Sequence, residues 1–156
     1  MMVRALAFAL VVIVADQLTK FAATAGLAQG PVEILPFLNF ALVHNTGAAF
    51  GFLSTAGGWQ KLFFVGIAVL ATIVIVVMLR KVPRRDWFMQ LSLSLILGGA
   101  IGNLLDRLIH GYVIDFIDFY IGTWHFWTFN VADAAISIGA VMLAMDAFNL
   151  RPRRPA

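Results

Sequence analysis

Polar residues are scarce in this chain, and several of them recur at helical spacing. Asp16, Thr19 and Lys20 stand at i, i+3, i+4; Asn103, Asp106 and Arg107 repeat that spacing; Asn130, Asp133 and Ser137 stand at i, i+3, i+7. Each set therefore shares one face of a helix, and Lys20 can reach Asp16 one turn away. The rest of the inventory restricts the chemistry. His44, His110 and His125 are widely separated and none is joined to a glutamate at ligand spacing, so no metal site and no cofactor is expected. The serines, Ser54, Ser92, Ser94 and Ser137, lie in no G-x-S-x-G turn, and the stretch Ala135 to Gly139 only echoes one. A phosphate-cradling loop is absent. So is cysteine, which removes thiolate nucleophiles, disulfides and thiolate metal sites.

Carboxylates remain. Two of them at close range share one proton, because like charges a few ångströms apart cannot both ionise; one then activates a water while the other hydrogen-bonds a carbonyl. Asp133, held at the start of a helix, is the natural first member. Asp106, Asp115 and Asp118 are the candidates for the second. Asp106 is followed by Arg107, which favours its ionised form and a structural role. The residues alone do not choose between Asp115 and Asp118 in GYVIDFIDFY, Gly111 to Tyr120.

The elements that must hold these groups are apolar. With 62% hydrophobic and 12% charged residues and a mean hydropathy of +0.92, the 156-residue chain reads as one integral membrane domain, residues 1–156. Four runs approach the roughly 20 residues a spanning helix needs: residues 3–23, 62–79, 88–105 and 129–148. The net charge of +3 comes mostly from Arg80, Lys81, Arg84 and Arg85 and from Arg151, Arg153 and Arg154. Without interleaved aromatics these clusters suggest headgroup contacts and topology signals, with membrane lipid and no nucleic acid as partner. The positive-inside rule places them and both termini in the cytoplasm. Thr24 to Lys61 and Asp106 to Thr128 then face outward, and the polar sets gather toward the outer ends of their helices.

One rival reading takes Arg4, the apolar core and Ala23-Thr24-Ala25 as a cleaved secretory signal. It would put the remaining charge clusters on opposite sides of three spans, so a retained first helix fits better. In the outer connections, Pro36 to Val43 has strand-like character, Asn45-Thr46-Gly47 is a turn signal, and Phe119 to Phe129 has the composition of an interfacial belt. Gly98 and Gly102 form a small-xxx-small pair that lets helices approach closely. The expected architecture is membrane α-helical: four transmembrane helices with a small extracytoplasmic β-rich region lying at the membrane surface.

Five ordered blocks carry a resemblance: DQLTK (Asp16 to Lys20), VHNTGAAFG (Val43 to Gly51), GGAIGNLLDR (Gly98 to Arg107), GYVIDF (Gly111 to Phe116) and FNVADAAI (Phe129 to Ile136). They are similar to those of the signal peptidase II family, the membrane aspartyl peptidases of bacterial lipoprotein maturation. The resemblance implies that Asp115 and Asp133 are the catalytic pair, with Asp16, Lys20, Asn45, Gly47, Asn103, Asp106, Arg107, Asn130 and Ala132 in supporting or substrate-binding roles. Ala132 is expected to leave room for substrate, and the loop Thr24 to Lys61 to act as a mobile clamp. The expected setting is the bacterial cytoplasmic (inner) membrane with an extracytoplasmic active site, and a monomer is expected. The implied substrate is a lipidated prolipoprotein, cut on the amino side of its diacylglyceryl cysteine. The competing class, a small proton-coupled carrier or assembly factor, is disfavoured because the chain has no internal repeat and its charges lie toward one face.

Overall fold

The computed structural model describes residues 2–47 and 59–151. Its elements run α1 (Met2–Gly26), β1 (Val32–Leu35), β2 (Leu38–Asn45), α2 (Trp59–Lys81), α3 (Trp87–Ile109), β3 (Val113–Ile121), β4 (Trp124–His125) and α4 (Val131–Ala147). Among the described residues three helices, α1, α2 from Lys61, and α3, are long and apolar enough to cross a membrane. The fourth, α4, has 17 residues, about 25 Å at the usual helical rise. It begins two residues later than the sequence suggests, because Asn130 is extended and serves as its N-cap.

Helix α3 is the centre of the bundle, packed against α1, α2 and α4. Small residues make this possible. A Cβ on Gly98 would meet the Ala9 carbonyl at 2.7 Å, one on Gly99 the Ala132 carbonyl at 2.4 Å, and one on Gly139 the Ser92 carbonyl at 2.6 Å. Leu79, Leu93 and Leu97 fill the α1–α2–α3 core with Ala5 and Ala9. The outer faces of α1 and α2 carry exposed Val3, Phe8, Phe21, Leu62 and Leu70. Such a sheath is unfavourable in water and is solvated by lipid tails. Ser92 and Ser94, buried in α3, donate back to the Phe88 and Gln90 carbonyls at 2.8 and 2.6 Å, so both hydroxyls are satisfied within their own helix.

At one end, Asp86 caps α3 by accepting from the Met89 amide at 3.1 Å, and Arg151 donates to Asp86 at 2.9 Å and also to Asp146. Asp146 thus helps tie α4 to α3. The opposite end carries an antiparallel sheet in the order β1-β2-β3-β4. Pro36 lies in the turn between β1 and β2, where a residue with no N–H costs no ladder bond. A β-bulge in β2 between Phe40 and Val43 sets the register so that Val43 faces Asp115 and Asn39 faces Asp118. The expected belt segment folds back as the β3–β4 hairpin, with Gly122 in the left-handed region at its turn (φ +60°).

The chain entering α4 is stitched to β3. Ile117 donates to the Phe129 carbonyl at 2.8 Å and Phe129 returns a bond to the Ile117 carbonyl at 3.0 Å. This stitch brings Asn130 and the first turn of α4 against Ile114 and Asp115.

Candidate active site

Three helix ends and two strands meet here. Asp133 is the third residue of α4, and its amide donates to the Asn130 side-chain oxygen at 2.9 Å. The Asn130 amide nitrogen donates to Asp115 Oδ1 at 2.6 Å and reaches the Ile114 carbonyl at 3.3 Å. One fully buried asparagine therefore fixes both aspartates, one through its oxygen and the other through its nitrogen. From β2, Asn45 donates to Asp115 Oδ2 at 2.9 Å. The Asn45 oxygen accepts from the Gly47 amide at 2.8 Å, an Asx turn that orients the side chain. Gly47 is in the left-handed region (φ +92°), and a Cβ there would fall 2.3 Å from Phe64. Glycine is required on both counts.

Asn103, on α3, donates to Asp133 Oδ1 at 2.7 Å. Asp133 Oδ2 takes no hydrogen bond from the described residues and lies beside a groove of about 460 Å³ bounded by Phe126, Phe129, Ala134, Ser137 and Ile138. Arg107 donates to the Asn103 carbonyl at 3.1 Å and lies over the Phe64 ring at 5.6 Å. Its charge faces Asp133, Asp115 and Asp106.

Behind the pair lies a buried charge cluster. Lys20, 2% exposed, contacts Asp16 Oδ2 and Asp106 Oδ2, each at 2.8 Å, and Asn103 Oδ1 at 3.0 Å. The cation paired with Asp106 is therefore Lys20; no Arg107–Asp106 salt bridge forms. Asp16 Oδ1 accepts from the Ala132 amide at 2.9 Å, and Asp106 Oδ2 accepts from the Ile114 amide at 3.1 Å. Gln17 joins the cluster, donating to Asp106 Oδ1 at 2.9 Å and Asp16 Oδ2 at 3.2 Å. The sequence reading assigned Gln17 no place in the site. Its signal was its polarity beside Asp16 within an apolar run.

One expectation changes. Ala132 does not open space for substrate: it is 0% exposed, set against Gly99 and with its methyl 3.5 Å from where a Gly102 Cβ would lie. It is small because α3 and α4 touch there. Asp118 lies three residues from Asp115 on β3, hence on the opposite face of the strand. There His125 Nδ1 holds both its oxygens at 3.0 and 2.9 Å. The part of the expected clamp loop from residue 48 to 58 falls outside the described residues.

Burial is the largest influence on Asp115 and pushes its carboxyl up to about 6. The bond from Asn45 opposes this, the negative charge of Asp133 adds to it, and Asn130 and Lys20 oppose it further. A carboxyl so placed holds or releases a proton near neutrality, as acid–base catalysis requires.

Residues 8–149 match the family described as signal peptidase (SPase) II. The chain belongs to the signal peptidase II family. The lipoprotein signal peptidase of Hydrogenovibrio crunogenus (strain DSM 25203 / XCL-2) is 52% identical over 146 residues, covering 93% of this chain and 85% of that one. That of Burkholderia mallei (strain SAVP1) is 52% identical over 142 residues, covering 90% and 85%. A bacterial membrane enzyme solved at 2.3 Å by the in meso method aligns with a TM-score of 0.79 at 33% identity, over 98% of this chain and 94% of that one. A second, at 1.9 Å, gives 0.81 at 34% identity, over 92% of each. As a signal peptidase II member the chain is a membrane protein and an aspartic-type peptidase that removes signal peptides.

Proposed function

We propose that Asp115 and Asp133 are the catalytic pair of this peptidase, acting on prolipoproteins whose cysteine already carries diacylglyceryl, with cleavage on the amino side of that cysteine. The observation that carries the reading is Asn130, which bonds Asp115 and Asp133 at once. One carboxylate of the pair takes a proton from a water as the water oxygen bonds to the scissile carbonyl carbon, while the protonated partner hydrogen-bonds the carbonyl oxygen. The tetrahedral species then breaks its C–N bond, and the pair delivers a proton to the departing amine. Because coupled carboxyls titrate together, the two roles belong to the pair.

The apolar groove beside Asp133 suits a substrate whose lipid chains stay in the bilayer while its peptide bond reaches the interface. The supporting residues then divide by contact. Asn45, Asn103 and Asn130 orient the pair; Gly47 orients Asn45; Arg107 supplies positive charge beside both carboxylates; Asp16, Lys20 and Asp106 back the site; and Ala132 lets α4 approach α3.

In this reading α4 is a fourth crossing, both termini are cytoplasmic, and the sheet and site lie on the outer face of the bacterial inner membrane. The enzyme acts there as a monomer. The clustering of Arg80, Lys81, Arg84 and Arg85 at the end of the bundle away from the sheet supports that orientation.

The test is hydrolysis of a diacylglyceryl-modified precursor by purified protein, followed by gel shift. Asp115→Asn and Asp133→Asn are each expected to lose turnover by at least about a hundredfold, the usual minimum for removing acid–base help, while retaining their helical circular dichroism. Turnover preserved in folded Asp115→Asn would remove Asp115 from the pair and return the choice to Asp118.

A further inference from the structure

Asp16 and Asp106 accept from the backbone amides of Ala132 and Ile114. Those are the residues immediately before Asp133 and Asp115. Both carboxylates are bridged by a single ammonium, Lys20 Nζ, which also donates to Asn103 Oδ1. An ammonium has donors and no acceptor; here it donates to Asp16 Oδ2 and Asn103 Oδ1 and forms an ion pair with Asp106 Oδ2. Because Lys20 can only donate, the Asn103 oxygen must face it, which leaves the Asn103 amide nitrogen to donate to Asp133 Oδ1 at 2.7 Å. With Lys20, Asp16 and Asp106 each no more than 2% exposed, water has little access to replace any of these contacts.

We infer that Lys20 is a positioning residue that sets the separation and orientation of the two aspartates: through Asp16 and Asp106 it fixes the backbone before each, and through Asn103 the Asp133 carboxyl. This rests on the reading of Asp115 and Asp133 as the catalytic pair. Lysine is needed rather than arginine, because three acceptors converge on one nitrogen, whereas a guanidinium spreads its donors around a planar fork. The bridge is a ruler between α1, α3, β3 and α4, and a shift of about 1 Å in a reacting group costs on the order of a hundredfold in rate.

The test compares Lys20→Arg, Lys20→Met and the double variant Lys20→Met/Asp106→Asn, all full-length and purified in the same detergent. The double variant has the same net charge across the cluster as the native enzyme and carries the test if the buried carboxylates unfold Lys20→Met. For the folded variants, kcat on the lipidated precursor is expected to fall about a hundredfold with KM within about twofold. Amide hydrogen exchange at Ile114 and Ala132 is expected to quicken together. Lys20→Arg retaining kcat within threefold would show that charge alone suffices, and the ruler would be wrong. A raised KM with unchanged kcat would overturn it in favour of substrate binding, and so would unchanged protection of both amides in Lys20→Met/Asp106→Asn. The exchange readout needs no turnover, so it decides the bridge even if Asp115→Asn and Asp133→Asn prove active and the catalytic reading falls.

Discussion

Asn45→Ala perturbs one term at the site with a sign that does not depend on mechanism. The Asn45 amide donates to Asp115 Oδ2 at 2.9 Å and is the largest influence opposing the burial that pushes this carboxyl up to about 6. A donor favours the ionised form, so deleting it raises the pKa. A hydrogen bond to a charged group contributes about 1.5–3 kcal/mol, equivalent to about 1–2 pKa units. Asn45 is only partly buried, so water can take over part of the bond and the lower figure applies. The limb of the kcat/KM profile governed by Asp115 should therefore move about one unit toward alkaline pH. Because the two carboxyls titrate as a pair, the shift is read on the apparent pKa values of the pair. The assay is cleavage of a lipidated precursor from about pH 4 to pH 9 in one detergent, with Asn45→Asp as companion. In Asn45→Asp the acceptor for the Gly47 amide survives and only the donor is replaced, by a like charge, so the shift should be larger. An acidward shift, or unmoved limbs in folded Asn45→Ala, would refute the placing of Asp115 in the reaction.

Other outcomes follow from neighbouring contacts. Because the folded-state pKa of Asp115 is raised, the folded protein binds this proton more tightly than the unfolded chain, and the stabilisation, full below the usual carboxylate pKa, is lost as pH rises to about 6; Asp115→Asn should flatten the fall of thermal midpoint over that window. Gly102→Ala places a methyl 2.6 Å from Asp16 Oδ2, so the carboxylate must shift from its place beside Lys20. A destabilisation of about 1–3 kcal/mol, typical of overpacking, should appear as a lowered thermal midpoint. Asp118→Asn loosens the His125 contact but faces away from the pair, so turnover should remain within about twofold, as a steady-state assay would show. Arg151→Ala releases Asp86 and Asp146 far from the site. Being partly exposed, these ion pairs contribute only about 0–1 kcal/mol, and activity should be unchanged.

Much of this protein is readable in one dimension. Apolar runs of spanning length in α1, α2 and α3, and the i, i+3, i+4 spacing of Asp16 with Lys20 and of Asn103 with Arg107, are local properties of a helix and need no knowledge of the fold. The candidate pair was legible only by combining the elimination of other nucleophiles with the five family blocks. Residue-level reading left Asp115 and Asp118 even, since both are aspartates on one short strand and only its alternation, in register with β2, separates their faces. Ala132 was misread because smallness in sequence looks the same whether it makes room for a ligand or for a neighbouring helix. Lys20 was seen beside Asp16, while its second carboxylate, Asp106, lies far along the chain, and the pairing depends on how α1 packs against α3. Sequence by itself determined the membrane class and which residue types are available for chemistry, because composition and spacing are properties of the chain. Tertiary structure alone decided which of those residues meet, because contact between distant residues is set by the packing of α1, α3 and α4 around glycines and by the stitch from β3 to Phe129.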